Sequence, residues 1–106
     1  MIDDYKVIAL INPSNNDVLR VMREILSEND GSVIWTFHSV ERMRDRGISS
    51  TQVLNCLEKG TLSEAPVFNG VKGNWKFTMQ HTTAGKEVGV AVALNLEDRI
   101  IIITVF

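Results

Sequence analysis

The sequence predicts an α+β domain: helices packed on one face of an antiparallel sheet of four to five strands. Three observations carry this. The first 60 residues hold apolar side chains at helical spacing between cap signals. From Glu64 onward the rhythm changes to period two. The two regimes follow one another without repeats, low-complexity tracts or a linker. With 106 residues, 44% of them hydrophobic, the chain reads as one domain over 1–106, helical through 60 and sheet from 61.

Lys6 to Ile11 is a short apolar run, a strand or the lead into a helix. Asn12-Pro13-Ser14 is a start signal, with the proline suited to a first helical position and Asn12 or Ser14 as cap. Val18, Leu19, Met22, Ile25 and Leu26 then recur at helical spacing, so 13–28 reads as an amphipathic helix that Asn29-Asp30-Gly31 ends. Ser32 to Phe37 is β-branched and aromatic, a short strand or an extended lead. A second helix is expected over 38–46, stopped by Gly47, with Val40, Met43 and Gly47 turned toward the core. Ser49 with Gln52 makes a capping box for a third, buried through Val53, Leu54 and Leu57 and closed by Lys59-Gly60.

Pro66 to Phe68 reads as a short edge strand because of its proline. Asn69-Gly70 signals a turn that Gly73-Asn74 lengthens. In the next strand Trp75, Phe77, Met79 and His81 share one face, while Lys76, Thr78 and Gln80 share the other. After a turn at 82–86, Val88, Val90, Val92 and Leu94 alternate with Gly89, Ala91 and Ala93, so one face carries bulk and the other is nearly bare. Asn95 to Asp98 turns the chain, and the apolar run Ile100 to Val105 suits a central strand.

Composition narrows the function classes. The single cysteine, Cys56, excludes an intrachain disulfide and fits a reducing cytoplasm. The opening Met-Ile-Asp-Asp-Tyr is acidic where a secretory signal is basic, and Val7 to Ile11 is too short to span a bilayer. Two histidines and one cysteine, far apart, lack metal-ligand spacing, and no phosphate-cradling glycine loop occurs, so no cofactor is expected. The net charge is −2, but residues 32–86 carry seven bases and four acids. A local basic surface on an acidic molecule can engage phosphates.

The richest stretch is Thr36 to Ser49, T-F-H-S-V-E-R-M-R-D-R-G-I-S. It sets His38, Arg42 and Arg46 in an i, i+4, i+8 ladder on one helical face. An imidazole exchanges protons near neutral pH, and guanidiniums grip phosphate through planar paired donors. The ladder is therefore a kit for a phosphodiester. As a bland alternative, Arg42 could pair with Asp45, Arg44 with Glu41, and Lys76 could be the solvated side of a strand.

This block resembles the signature of a bacterial family of unknown function, numbered 4258, whose members carry Arg-Met-x-x-Arg-Gly-Ile-Ser after a histidine. The Leu57–Gly60 helix end, the Gly73–Phe77 strand, the valine-rich Val88–Val92 and the Ile103–Phe106 ending are similar too, so the resemblance covers about 33–106. It implies a RelE/barnase-like fold and a metal-independent endoribonuclease toxin, an mRNA interferase of a type II toxin–antitoxin system. Its partners would be mRNA, on or off the ribosome, and a cognate antitoxin of helix-turn-helix or zinc-finger type. Carried over, His38, Arg42 and Arg46 match the family's polar helix positions, and Lys76 and Thr104 its sheet positions. The expected catalytic set is His38, Arg42, Arg46 and Lys76, and the expected RNA-binding set is Arg44, Lys72, Thr78, His81 and Thr104. The alternative is a non-catalytic RNA- or protein-binding module on the same fold.

Overall fold

The computed structural model describes residues 14–28, 32–95 and 99–106. The expectations for Lys6–Ile11, Asn12-Pro13, Asn29-Asp30-Gly31 and most of the Asn95–Asp98 turn lie outside them. The described chain runs α1 (Asn15–Glu28), β1 (Val33–Trp35), α2 (Phe37–Arg46), α3 (Ser50–Lys59), β2 (Thr61–Asn69), β3 (Asn74–Thr83), β4 (Lys86–Asn95) and β5 (Arg99–Val105). The five strands form one sheet in the order β1-β5-β4-β3-β2. β2 through β5 are an antiparallel meander. β1, left open by the sequence as strand or lead, pairs parallel with β5, so the sheet is mixed.

Each helix begins where its sequence supplies a cap. Ser14 Oγ accepts from the Asp17 backbone N–H at 3.2 Å while Asp17 Oδ2 accepts from the Ser14 N–H at 2.9 Å, a reciprocal box that opens α1. Those hydrogen bonds hold the Asp17 carboxyl below the usual carboxylate range. Ser49 and Gln52 form the expected box on α3. Thr36 caps α2, and its hydroxyl also donates to the Ile102 carbonyl at 2.7 Å, pinning the helix start to β5. Gly47 ends α2 in the left-handed region at φ 65°, with the Gly47 and Ile48 N–H groups donating to Arg44 and Met43 carbonyls. Gly60 ends α3 for a different reason. Its backbone is extended, but a Cβ there would overlap the carbonyls of Cys56 and Gln80, so only glycine lets α3 approach β3 this closely.

The core lies between the helices and one face of the sheet. Val18, Val21, Met22 and Ile25 of α1 and Val53, Cys56 and Leu57 of α3 pack on Phe77, Met79, Val88, Val90, Val92, Leu94, Ile100 and Ile102. Register confirms the alternation, with Phe77 opposite Val92 and Met79 opposite Val90. Burial pushes the Cys56 thiol up to about 11. Arg23 ties the two helices together, donating to the Leu57 carbonyl at 3.2 Å and the Gly60 carbonyl at 2.9 Å.

Two expectations are corrected. Val40 and Gly47 do not face the core: both are exposed, while Ser39 is fully buried and Met43 packs against the core beside it. The ladder helix packs on β5 with Ser39 on its buried side, and the Ser39 hydroxyl donates back to the Thr36 carbonyl at 2.7 Å. The edge strand is nine residues, not three, because irregularities between Leu62, Glu64 and Val67 carry Pro66 through without breaking pairing to β3.

Candidate nucleic-acid interface

The face of the sheet away from α1 and α3 is open, and its shape follows from β4. Gly89, Ala91 and Ala93 point toward it, so the middle of the sheet offers almost no side-chain bulk there. Two adjoining depressions result, of about 430 and 310 Å³, which share Glu64 and Thr78. The first is lined by Arg46, Ser63, Gln80, Glu87, Gly89 and Phe106, the second by Lys76, Val67, Ala91 and Ile103 among others. Together they form a groove, with β2 as one rim and α2 beside β5 as the other.

α2 reaches this rim because β1 is short. β1 pairs only with Ile100 to Ile102, and the chain turns into the helix at Thr36. α2 then runs along the outer half of β5, where Arg42 Nε donates to the Val105 carbonyl at 3.4 Å. Arg46, one turn further, lines the groove. His38 stands one turn before Arg42 on the same helical side and is exposed. It makes no hydrogen bond or ion pair among the described residues.

The groove therefore gathers part of the expected set. Arg46, Lys76 and Thr78 line it. Thr104 registers opposite Ala91 and so lies on the same face. Arg42 and His38 lie one and two turns before Arg46 on α2, and neither lines the two depressions. His81 does not join them: strand alternation puts it with Met79 and Val88 on the helix-covered side. Lys72 sits in the exposed β2–β3 turn, at the opposite end of the strands from Arg46. Arg44 is exposed on the side of α2 away from Ser39.

Electrostatically the groove is mixed. The Arg46 and Lys76 side chains carry no salt bridge or hydrogen bond among the described residues, and neither Arg42–Asp45 nor Arg44–Glu41 pairs. The two glutamates are engaged with neutral neighbours: Glu64 accepts from Thr78 Oγ1 at 2.9 Å, and Glu87 accepts from Gln80 Nε2. The cations are thus the groups left to bind an anion, while the carboxylates are held back along the β2 side and the β3–β4 end.

Sequence reasoning missed Ser63, Glu64, Gln80, Glu87 and Phe106 as groove residues. The signal for three of them was present. Ala84 and Gly85 both have positive φ, a two-residue hairpin loop, and that loop sets Gln80 opposite Gly89 and Thr82 opposite Glu87. Phe106 continues the pairing with Gly89, and its half-exposed ring lies against that glycine, where a Cβ would meet it at 3.2 Å. Ser63 and Glu64 follow an irregular stretch of β2 that no period foretells.

Among the described residues no three His, Cys, Asp or Glu side chains gather as they would around a metal ion, and no helix is long and apolar enough to cross a membrane. No curated protein and no solved structure matches the chain. A family model does, and it covers residues 35–106, from the end of β1 through the ladder helix to Phe106. The match takes in the whole groove, and the chain belongs to the family described as Domain of unknown function (DUF4258).

Proposed function

We propose that the chain is a RelE-like, metal-independent endoribonuclease that cuts mRNA, the toxin of a type II toxin–antitoxin pair acting in the cytoplasm. One observation carries this reading. Two cations from distant parts of the chain, Arg46 and Lys76, line the two adjoining depressions of one open face that Gly89 and Ala91 leave bare, and neither is paired among the described residues. A single-stranded phosphodiester backbone can lie against such a face, and its phosphates replace the water around the cations.

The chemistry then divides among the residues at the rim and floor. His38 takes the proton of a ribose 2′-hydroxyl as that oxygen bonds to phosphorus. Arg42 and Arg46 hold the phosphate oxygens as negative charge builds on them. The P–O5′ bond breaks, and Lys76 gives a proton to the leaving oxygen. The products are a 2′,3′-cyclic phosphate and a 5′-hydroxyl end. Positioned proton transfer contributes on the order of 10²–10⁴-fold.

A second reading has its own observation. Among the described residues His38 has no hydrogen-bond partner to orient it, and Glu64 and Glu87 share the groove with the cations. A non-catalytic RNA- or protein-binding module fits those two facts. Purified protein incubated with RNA, with and without ribosomes, separates the readings. A nuclease yields cyclic-phosphate ends that disappear in His38→Ala, and expression of the chain alone arrests growth. A binding module retains RNA uncut, and growth is unaffected.

A further inference from the structure

We propose that Lys86 is a positioning residue of the groove: it anchors the last turn of α2 to the β3–β4 hairpin and so holds Arg46 in place. The inference rests on the reading of the groove as an RNA site.

The end of α2 needs an outside partner. Its last four carbonyls belong to Met43, Arg44, Asp45 and Arg46, and the left-handed Gly47 turn satisfies only the first two. Lys86 Nζ donates to the Arg46 carbonyl at 2.6 Å and lies 3.3 Å from that of Gly47. The ammonium stands at the negative end of the helix dipole, where a cation is favoured. Its bond is to the backbone of the very residue whose side chain lines the groove.

The partner is itself fixed from behind. Lys86 is the first residue of β4, paired with Thr83 across the two-residue turn Ala84-Gly85. Ala84 holds φ 52°, a left-handed conformation that costs an L side chain energy, so the hairpin adopts this register against local preference. The strand then runs directly into Glu87 and Gly89, both groove residues. Lys86 therefore links the two pieces of chain that build this end of the groove, the α2 terminus and the start of β4. Without it, no other side-chain hydrogen bond among the described residues joins α2 to β4. The Arg42 contact, to β5, is a full turn away.

The test compares wild type, Lys86→Met, Lys86→Arg, Arg46→Ala and the double variant Lys86→Met/Arg46→Ala. The substrate is a 5′-labelled single-stranded oligoribonucleotide, and binding is read separately with its 2′-deoxy analogue. Lys86→Met is expected to weaken binding and raise KM by about tenfold, as small misplacement of a phosphate clamp does, with kcat changed much less. Lys86→Arg, which keeps the donor, restores most of the loss. In the Arg46→Ala background, Lys86→Met adds less than about twofold, because the residue through which it acts is gone. Full affinity in Lys86→Met overturns the proposal, and so does a loss that multiplies with that of Arg46→Ala. If Lys86→Met fails to fold, Lys86→Gln keeps a neutral donor and decides by the same criteria. Wild type that neither binds nor cuts RNA overturns the nuclease and RNA-binding readings together with this role. Wild type that is active beside an unaffected Lys86→Met overturns only this role.

Discussion

The two faces of one sheet have opposite composition from the same strands. On β4, Val88, Val90, Val92 and Leu94 are fully buried under α1 and α3, while Gly89 and Ala91 between them floor an open groove. On β3, Phe77 and Met79 alternate with Lys76, Thr78 and Gln80 in the same way. A two-residue repeat can thus separate stability from function, since adjacent residues take part in different tasks. The covered face tolerates no loss of volume, and the open face tolerates no gain.

Substitutions on the two faces should separate stability from RNA affinity, and the largest effect belongs to the covered one. Leu57→Ala leaves a void between α3 and the sheet and should lower unfolding free energy by about 2–5 kcal/mol in urea titration. Gly60→Ala forces a Cβ into the Cys56 and Gln80 carbonyls and should cost about 1–3 kcal/mol, read in the same titration. On the groove, Arg46→Ala and Lys76→Ala should leave stability within about 0.5 kcal/mol. Each should instead lower RNA affinity and reduce the salt dependence of binding by about 0.7 in log–log slope, one phosphate contact to a single strand. Should either variant lower the unfolding free energy by more than about 1 kcal/mol while leaving RNA affinity unchanged, the division of labour fails. Ala84→Gly relieves the left-handed alanine at the hairpin and should raise stability by up to about 1 kcal/mol.

The covered face also has a titration of its own. Burial raises the Cys56 thiol from 9.0 to about 11, so between those values the unfolded chain loses this proton and the folded one keeps it. Stability is then fully present below pH 9 and declines as pH rises toward 11. Cys56→Ser or Cys56→Ala should flatten that part of the pH–stability curve.

The covered face was legible in the sequence because one force governs it. Apolar residues at spacing 3–4 in α1 and α3, and at spacing 2 in β3 and β4, each have a single way to leave water together. Caps were legible for the same reason: Ser49 with Gln52, and Gly47 after Arg46, satisfy backbone groups within one turn. The groove was legible only in part. Lys76, Thr78 and Arg46 fall on it by periodicity, and the bare face of β4 showed in the alternation. His81 has the chemistry of a site residue but the wrong parity, which places it with the core. The orientation of α2 was misjudged because Ser39, a polar residue, takes the buried position by bonding its own helix start. Val40, apolar but exposed, does not. β2 could not be foreseen, since its irregular pairing erases the period that would have placed Glu64.

Exposed apolar groups mark the regions where the covered–open contrast ends. Phe37 is 79% exposed at the start of α2, and Val67, Phe68 and Val71 are exposed along β2 and its turn. Phe68 is steadied by Trp75, whose ring centroid is 5.1 Å away. These residues lie outside the core cluster, so their truncation should cost far less stability than that of Leu57.

The most direct test of the groove is the end chemistry of RNA cut by the purified chain. A single-stranded RNA is incubated with wild type, His38→Ala and Arg46→Ala, and the 3′ termini of the fragments are identified. Cyclic-phosphate ends from wild type, reduced by about 10²-fold or more in His38→Ala, are the outcome a His-dependent groove requires. RNA degraded equally by all three proteins, or by none, would contradict it.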